Sequence, residues 1–126
     1  MSEELSIELA PEPRASWKAR LSLSQFADAL SPNALADLRV VVSELVTNSV
    51  RHGPGNPIRL QVALEDGLVR GEVIDEGNGT VAIRGSEAVS GGFGLRIVDT
   101  LCERWGVFEG STQVWFELRD SATSRA

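Results

Sequence analysis

Three polar residues recur at four-residue intervals in the segment VSELVTNSVRHG, residues 42–53. They are Glu44, Asn48 and His52. Successive helical residues are rotated by about 100°, so these three side chains share one stripe of a helix. The apolar residues of the same segment fall on the opposite side and supply a surface that can face a core. The polar stripe must therefore serve another purpose.

Two residues of this stripe could carry chemistry. A carboxylate in a partly dry cleft, such as that of Glu44, can accept a proton from a hydroxyl and accelerate a reaction about 10²–10⁴-fold. The carboxamide oxygen of Asn48 is a neutral ligand for a hard cation such as Mg²⁺, which in nucleotide sites also binds phosphates and waters. The alternative is a polar helix surface stabilised by i,i+4 hydrogen bonds. We expect His52 to cap or pack at the helix end.

A second segment, VIDEGNG (residues 73–79), places a carboxylate at the end of a strand. Asp75 could accept a hydrogen bond from an exocyclic amine there. Gly77 and Gly79 would let the backbone approach a flat ring closely. The alternative is a tight turn after a strand, which D-x-G segments often form.

A third segment, SGGFGLRIVD (residues 90–99), has glycines immediately before a predicted helix. Free amides and the positive dipole end of a helix make an anion site. No G-K-[ST] follows the glycines, so the segment is not a P-loop. Taken alone, a glycine-rich loop is weak evidence for phosphate binding.

Composition narrows the class of protein. A chain of 126 residues with a net charge of −6 fits one soluble domain. Lys18 is the only lysine, and the absence of basic clusters argues against direct nucleic-acid binding. One cysteine, Cys102, provides no disulfide framework and fits a reducing compartment. Without a signal-like start or an apolar run of about 18 residues, we expect a cytoplasmic protein that does not enter membranes.

The motifs lie in an element order of β-α-α-β-β-loop-α-β-β. Period-two alternation predicts strands, and apolar spacing of three or four predicts helices. The predicted helices cover residues 14–30, 32–51 and 94–105, and residues 76–93 form the longest loop. We expect the core residues of the first helix to be Trp17, Leu21, Phe26 and Leu30.

This order predicts an α+β two-layer sandwich. Strand pairs joined by short hairpins, with helices between them, favour a mixed, mostly antiparallel sheet with helices on one face. The other face would be solvated or bind a partner. We expect a single domain over residues 1–126, with a core at about 5–118 and a frayed tail at 119–126.

The combination of motifs is more specific than any one of them. An E-x-x-x-N helix, a strand ending in D-x-G-x-G, a loop and G-x-G-L at a helix start resemble the GHKL, or Bergerat-fold, ATPase superfamily. The segments SELVTNSVRHG and VWFEL look most like its bacterial anti-sigma-factor serine/threonine kinase branch. The resemblance covers roughly residues 5–118.

The resemblance implies ATP and Mg²⁺ as cofactors. Glu44 matches the general base that activates the serine hydroxyl of a protein substrate, and Asn48 matches the Mg²⁺ ligand. The remaining matched positions contact the nucleotide in the family: Asp75 at the adenine amine, Gly77 and Gly79 shaping that pocket, residues 80–90 as the ATP lid, and Gly92, Gly94 and Leu95 at the phosphates.

The implied function is that of a kinase that phosphorylates an anti-sigma-factor antagonist of STAS type and otherwise holds a sigma factor. A homodimer is also possible. Two departures from the family pattern favour an alternative, a binding module with weak or no catalysis. Phe93 stands where relatives often have a basic residue, and Gln113 where a threonine beside adenine is expected, unless Thr112 takes that place. A third alternative, the catalytic half of a sensor kinase, ranks last because no dimerisation helix with an acceptor histidine is present.

Overall fold

The computed structural model describes residues 2–75, 95–107 and 113–121. Its elements in chain order are β1 (Ser2–Leu9), α1 (Ala15–Ser22), a 3₁₀ turn (Leu23–Phe26), α2 (Pro32–His52), β2 (Ile58–Glu65), β3 (Leu68–Ile74), α3 (Leu95–Leu101), β4 (Arg104–Val107) and β5 (Val114–Arg119). Within these ranges, every helix is too short or too polar to cross a bilayer.

The strands form a five-stranded sheet in the order β1-β2-β3-β5-β4, and each of these pairs is antiparallel. β2 and β3 are joined by Asp66 and Gly67, whose φ angles of 52° and 82° match the two-residue hairpin turns that continue the strand twist. The predicted α+β class is confirmed, and β2 and β3 are one of the expected strand pairs joined by a short hairpin.

The core lies between the sheet and α2. Alternate residues of β2 are buried, as their period-two pattern predicts: Ile58, Leu60, Val62 and Leu64. The side of α2 opposite the polar stripe is also buried, including Leu38, Val42, Leu45 and Val46. Burying one such side chain contributes about 1.5–3 kcal/mol, so packing rather than helix propensity holds α2 in place.

Hydrogen bonds attach the start of α2 to the residue that follows β5. Ser31 caps the helix by accepting a hydrogen bond from the amide of Ala34 at 3.2 Å, and Pro32 occupies the first turn, where its missing N–H costs nothing. The amide and hydroxyl of Ser31 donate to the buried carboxylate of Asp120 at 2.8 and 2.9 Å. These bonds fix the position at which α2 begins relative to β5.

The prediction for the first helix is wrong about which of its faces is buried. Ala15 and Ala19 are the buried residues of α1, whereas Trp17 and Leu21 are 49% and 53% exposed. Two alanines one turn apart let α1 pack closely on its neighbours, which turns the larger side chains outward. Phe26, predicted as core, is fully buried in the 3₁₀ turn that replaces the end of the predicted helix.

The end of the third predicted helix is also wrong. α3 ends at Leu101, and Trp105 lies in β4 opposite Phe116. The indole Nε1 of Trp105 donates to the carboxylate of Asp99 at 2.9 Å, linking α3 to this edge strand. A tryptophan four residues beyond Leu101 continues the helical spacing, so the pattern alone cannot locate the helix end.

Candidate functional site

Asn48 is a buried polar residue near the C-terminal end of α2. Its side chain is only 8% exposed, and its Nδ2 has no hydrogen-bond partner among residues 2–75, 95–107 and 113–121. A buried polar atom without a partner costs about 1–3 kcal/mol of stability. Glu44 lies one turn earlier on the same stripe and is half-buried. Within the described part of the chain, this amide is thus left for a ligand atom to satisfy.

Asp75 reaches the same end of α2 from the sheet. It directly follows β3, is 4% exposed and lies on the helix-facing side together with Val73. Its carboxylate contacts Gly53, the residue that ends α2: a β-carbon added there would lie 2.7 Å from Oδ2 of Asp75. The Asn48 helix and the end of β3 thus meet at one corner of the fold.

The electrostatics of this corner favour a hydrogen-bond donor. The C-terminal end of a helix carries about half a negative charge, so a buried carboxylate beside it is in an unfavourable place. Donors that reach the Asp75 carboxylate offset this cost. An amine on a ligand is such a donor.

The residues present fit the cofactors that the family resemblance implies. The Nδ2 of Asn48 can donate to a phosphate oxygen, and a half-turn about its Cβ–Cγ bond presents Oδ1 to a cation instead. Asp75 can accept from the amine of adenine. The described ranges contain no group of three or more His, Cys, Asp or Glu side chains suited to hold a metal. In nucleotide sites Mg²⁺ commonly binds one or two protein oxygens together with phosphate oxygens and waters.

Several predicted site residues lie outside the described residues: Gly77, Gly79, the segment 80–90, Gly92, Phe93 and Gly94. Their roles stay predictions. Leu95 is the first residue of α3 and its side chain is fully buried in the core. The predicted contact of its amide with phosphate stays a prediction as well.

Gln113 lies on the other face of the sheet. Its Nε2 donates to Oε1 of Glu72 at 2.6 Å, and Glu72 points away from the side that carries Val73 and Asp75. The expectation that Gln113 stands beside the adenine pocket is therefore wrong, because strand alternation turns it from that pocket. Thr112 lies outside the described residues.

An exposed apolar surface, which we call the α1–α2 patch, consists of Trp17, Leu21 and Val40. These are three of the four large apolar side chains that are exposed among the described residues. Trp17 and Leu21 share one stripe of α1, and two hydrogen bonds join α1 and the 3₁₀ turn to α2, which carries Val40: Arg20 donates to Ser43 at 2.9 Å and Arg39 to Ser24 at 3.1 Å. Sequence reasoning missed this patch because it assigned Trp17 and Leu21 to the core.

Basic side chains accompany the α1–α2 patch on both helices. α1 and its N-cap contain Arg14, Lys18 and Arg20 and no acidic residue, and Arg39 lies on the adjoining turn of α2. Lys18 pairs with the exposed Glu12 at 3.2 Å, an ion pair of little strength in water. A basic and apolar surface on a chain of net charge −6 is complementary to an acidic, apolar partner.

Cys102 directly follows α3, is buried, and is not a nucleophile candidate. Burial raises the pKa of its thiol to about 12, with further contributions from the carboxylates of Asp37 and Asp99. A thiol with this pKa stays protonated at neutral pH, and only the thiolate attacks electrophiles or binds metals well.

Comparison with known proteins identifies the class. Residues 9–118 match the family model of the histidine kinase-like ATPase domain. The chain belongs to this family, which confirms the predicted resemblance to the GHKL superfamily and implies that the domain binds ATP.

Individual proteins that are similar to this chain have more specific names than the family. The anti-sigma F factor of Geobacillus thermodenitrificans (strain NG80-2) is 33% identical over 89 residues, 66% of this chain and 61% of that relative. The anti-sigma F factor of Geobacillus stearothermophilus is 33% identical over 85 residues, 63% of this chain and 58% of that relative. The matches thus span about three fifths of these relatives. The crystal structure of the RsbU and RsbW domains of Rv1364c from Mycobacterium tuberculosis is similar over 92% of this chain and 31% of that one, with a TM-score of 0.68 and 26% identity.

Proposed function

We propose that this chain is an ATP-dependent serine/threonine protein kinase of anti-sigma-factor type. It phosphorylates an anti-sigma-factor antagonist and, in its other state, binds a sigma factor. The observation that carries the proposal is the contact of the Asp75 carboxylate with Gly53 at the end of α2. This contact joins the base-recognition residue to the helix that carries Glu44 and Asn48. The names of the relatives support the choice of partners.

Each residue has a separate task in the proposed mechanism. Bound Mg-ATP supplies the phosphoryl group and the cation that neutralises its charge. Glu44 would accept the proton of the substrate hydroxyl whose oxygen takes the γ-phosphoryl group, and ADP would leave as the bond between the β- and γ-phosphates breaks. Asn48 holds the triphosphate end, and Asp75 holds the adenine end by accepting from its amine. Because phosphoryl transfer depends mainly on positioning and charge neutralisation, the anchoring of α2 at both ends serves the reaction.

The α1–α2 patch supplies a surface for the protein substrate. Val40 lies one helical turn before Glu44 on α2, so the patch borders the proposed base. A partner that covers Trp17 and Leu21 would bring its own side chains toward Glu44. The accompanying arginines and Lys18 favour an acidic binding surface on that partner. We assign the antagonist to this surface as the substrate.

The roles of Glu44 and Asp75 can be separated by two substitutions. The assay measures transfer of radiolabelled phosphate from Mg-ATP to a candidate antagonist, and calorimetry measures ATP binding. Glu44→Ala should lower transfer by about 10²–10⁴-fold and spare ATP binding, because the base does not hold the nucleotide. Asp75→Ala should lose ATP binding itself. The role assignment is wrong if the two variants behave alike.

A second pair of variants tests the proposed substrate surface. Trp17→Ser should weaken binding of the antagonist, because it removes the largest apolar side chain of the α1–α2 patch. Ile97→Ser changes the fourth exposed apolar side chain, which lies on α3 and outside the patch. Equal losses of antagonist binding in the two variants would argue against the α1–α2 patch as the binding surface.

A second candidate function is a binding module that regulates a partner without catalysis. Phe93 favours it, since relatives often have a phosphate-neutralising charge there. In such a module the nucleotide is a ligand only or is absent. The phosphate-transfer assay distinguishes the kinase from a module that holds ATP as a ligand, and titration with ATP, with and without Mg²⁺, distinguishes it from a module that binds no nucleotide. A kinase shows Mg²⁺-dependent heat, and a module without nucleotide shows none.

A further inference from the structure

We infer that Gly53 determines the selectivity of the proposed nucleotide site for adenine, by leaving room for the Asp75 carboxylate at the end of α2. This inference rests on the proposed function, in which Asp75 accepts a hydrogen bond from the adenine amine. Gly53 touches no ligand in the proposed site. It is a positioning residue that acts through Asp75.

The backbone conformation of Gly53 does not by itself require glycine. Its φ of −80° is open to any residue, and its amide donates to the carbonyl oxygen of Ser49 at 2.9 Å, as in an ordinary helix end. Gly55, two residues later, is different: its φ of +89° favours glycine, and nothing lies within 4 Å of an added β-carbon. The two neighbouring glycines are therefore needed for different reasons.

Space is what requires glycine at position 53. An added β-carbon would overlap the carbonyl oxygen of Ser49 and lie 2.7 Å from Oδ2 and 3.3 Å from Cγ of Asp75. The Ser49 oxygen belongs to the helix backbone and accepts the bond from Gly53, so it cannot move without opening the last turn. Relief of that overlap therefore shifts the Gly53 end of α2, and the overlap with Oδ2 displaces the carboxylate of Asp75 as well. Even an alanine changes the position of the proposed base-recognition group.

The expected effect is confined to one end of the nucleotide. Hydrogen bonds weaken steeply with distance and angle, so a displaced carboxylate no longer accepts well from the amine. Asn48 lies about one and a half turns earlier on α2 and keeps its hold on the triphosphate end. Substitution of Gly53 should therefore reduce discrimination between bases more than it reduces affinity for a triphosphate.

The test compares two nucleotides on each variant. Calorimetry with Mg²⁺ gives the Kd of ATP and of the 5′-triphosphate of purine riboside, which lacks the exocyclic amine. We expect the wild type to prefer ATP by about 10- to 100-fold, the range for a hydrogen bond to a charged group. In Gly53→Ala this ratio should fall toward one, while the Kd of the purine analogue changes little. In Gly55→Ala the ratio should stay at the wild-type value. That substitution strains the local backbone, but its β-carbon would have no atom within 4 Å and would displace no side chain.

The outcomes separate the inference from the function on which it rests. A wild type that does not bind ATP, or binds both nucleotides equally, refutes the proposed nucleotide role of Asp75. If the wild type prefers ATP and Gly53→Ala keeps the same preference, the inference about Gly53 is refuted, but the proposed role of Asp75 is not. Equal loss of both nucleotides in Gly53→Ala also refutes it, since that result indicates only a structural role.

A measurement on the wild type covers the case in which Gly53→Ala does not fold. The Hα resonances of Gly53 report the carboxylate that lies against them. They should shift when ATP binds and shift much less when the purine analogue binds. Equal shifts with the two nucleotides would overturn the inference without any variant.

Discussion

Replacement of Asn48 by leucine tests whether this residue is retained for ligand binding or for the fold. Leucine has the same number of side-chain heavy atoms and the same branching as asparagine, but it has no polar atom to satisfy. Asn48 is buried, and its Nδ2 has no partner in the described ranges. We therefore expect Asn48→Leu to make the nucleotide-free protein more stable and to abolish its binding of Mg-ATP.

The size of this effect follows from the burial of one unsatisfied amide. Such a group costs about 1–3 kcal/mol, and an apolar group of the same shape removes that cost. A gain of about 2 kcal/mol moves the urea midpoint by about 1 M when the m-value is about 2 kcal/mol/M. ATP at 100 times its Kd adds about 2.7 kcal/mol to the wild type and nothing to a variant that does not bind it. ATP should therefore shift the difference in stability by about 2.7 kcal/mol toward the wild type, which reverses the order when the leucine gain is about 2 kcal/mol.

The assay is urea unfolding of both proteins with and without Mg-ATP, followed by circular dichroism. Asn48→Ala serves as the control, because it removes the amide but leaves a cavity and should gain less stability than leucine. If Asn48→Leu unfolds at lower urea than the wild type without nucleotide, the amide contributes to the fold and the reasoning fails. If the leucine variant still gains stability from ATP, Asn48 does not hold the nucleotide.

Three further predictions concern the framework of the site. Asp120→Ala should lower the free energy of unfolding by about 2–4 kcal/mol in urea, because Ser31 loses the acceptor for two hydrogen bonds; a loss under about 0.5 kcal/mol would contradict this. Gly71→Ala should cost about 1–3 kcal/mol in the same assay, because its β-carbon would overlap the ring of Phe116; unchanged stability would mean that the ring moves freely. Cys102 should react slowly with iodoacetamide at pH 8 unless the protein is unfolded. Since its folded pKa of about 12 lies above the ordinary 9.0, its contribution to stability is complete below pH 9 and is lost as pH rises toward 12. Cys102→Ala should reduce that loss, and an unchanged pH profile would count against it.

Local patterns predicted most of the elements. The alternation Ile58, Leu60, Val62, Leu64 predicts a half-buried strand, and β2 covers these residues. Ser31 before Pro32 predicts a helix start, and α2 begins there. These features were predictable because turn chemistry, capping and side-chain period depend on residues close together in the chain.

The phase of α1 and the end of α3 were not predictable in the same way. Trp17 and Leu21 share a stripe, as do Ala15 and Ala19, and either stripe could face the core. The alanine stripe is buried because it allows a closer approach to α2. That choice depends on the distance between two helices, which no local pattern contains.

The amino-acid sequence by itself determined the order of the elements, the residue types at the candidate site and the family. Glu44 and Asn48 lie on one stripe because four residues make about one helical turn. Only the tertiary structure decided that Asp75 lies against Gly53, that Gln113 points away from it and that Trp17 is exposed. The physical reason is that these contacts depend on how α1 and α2 pack and on the register between β3 and β5, where residues far apart in the chain become neighbours.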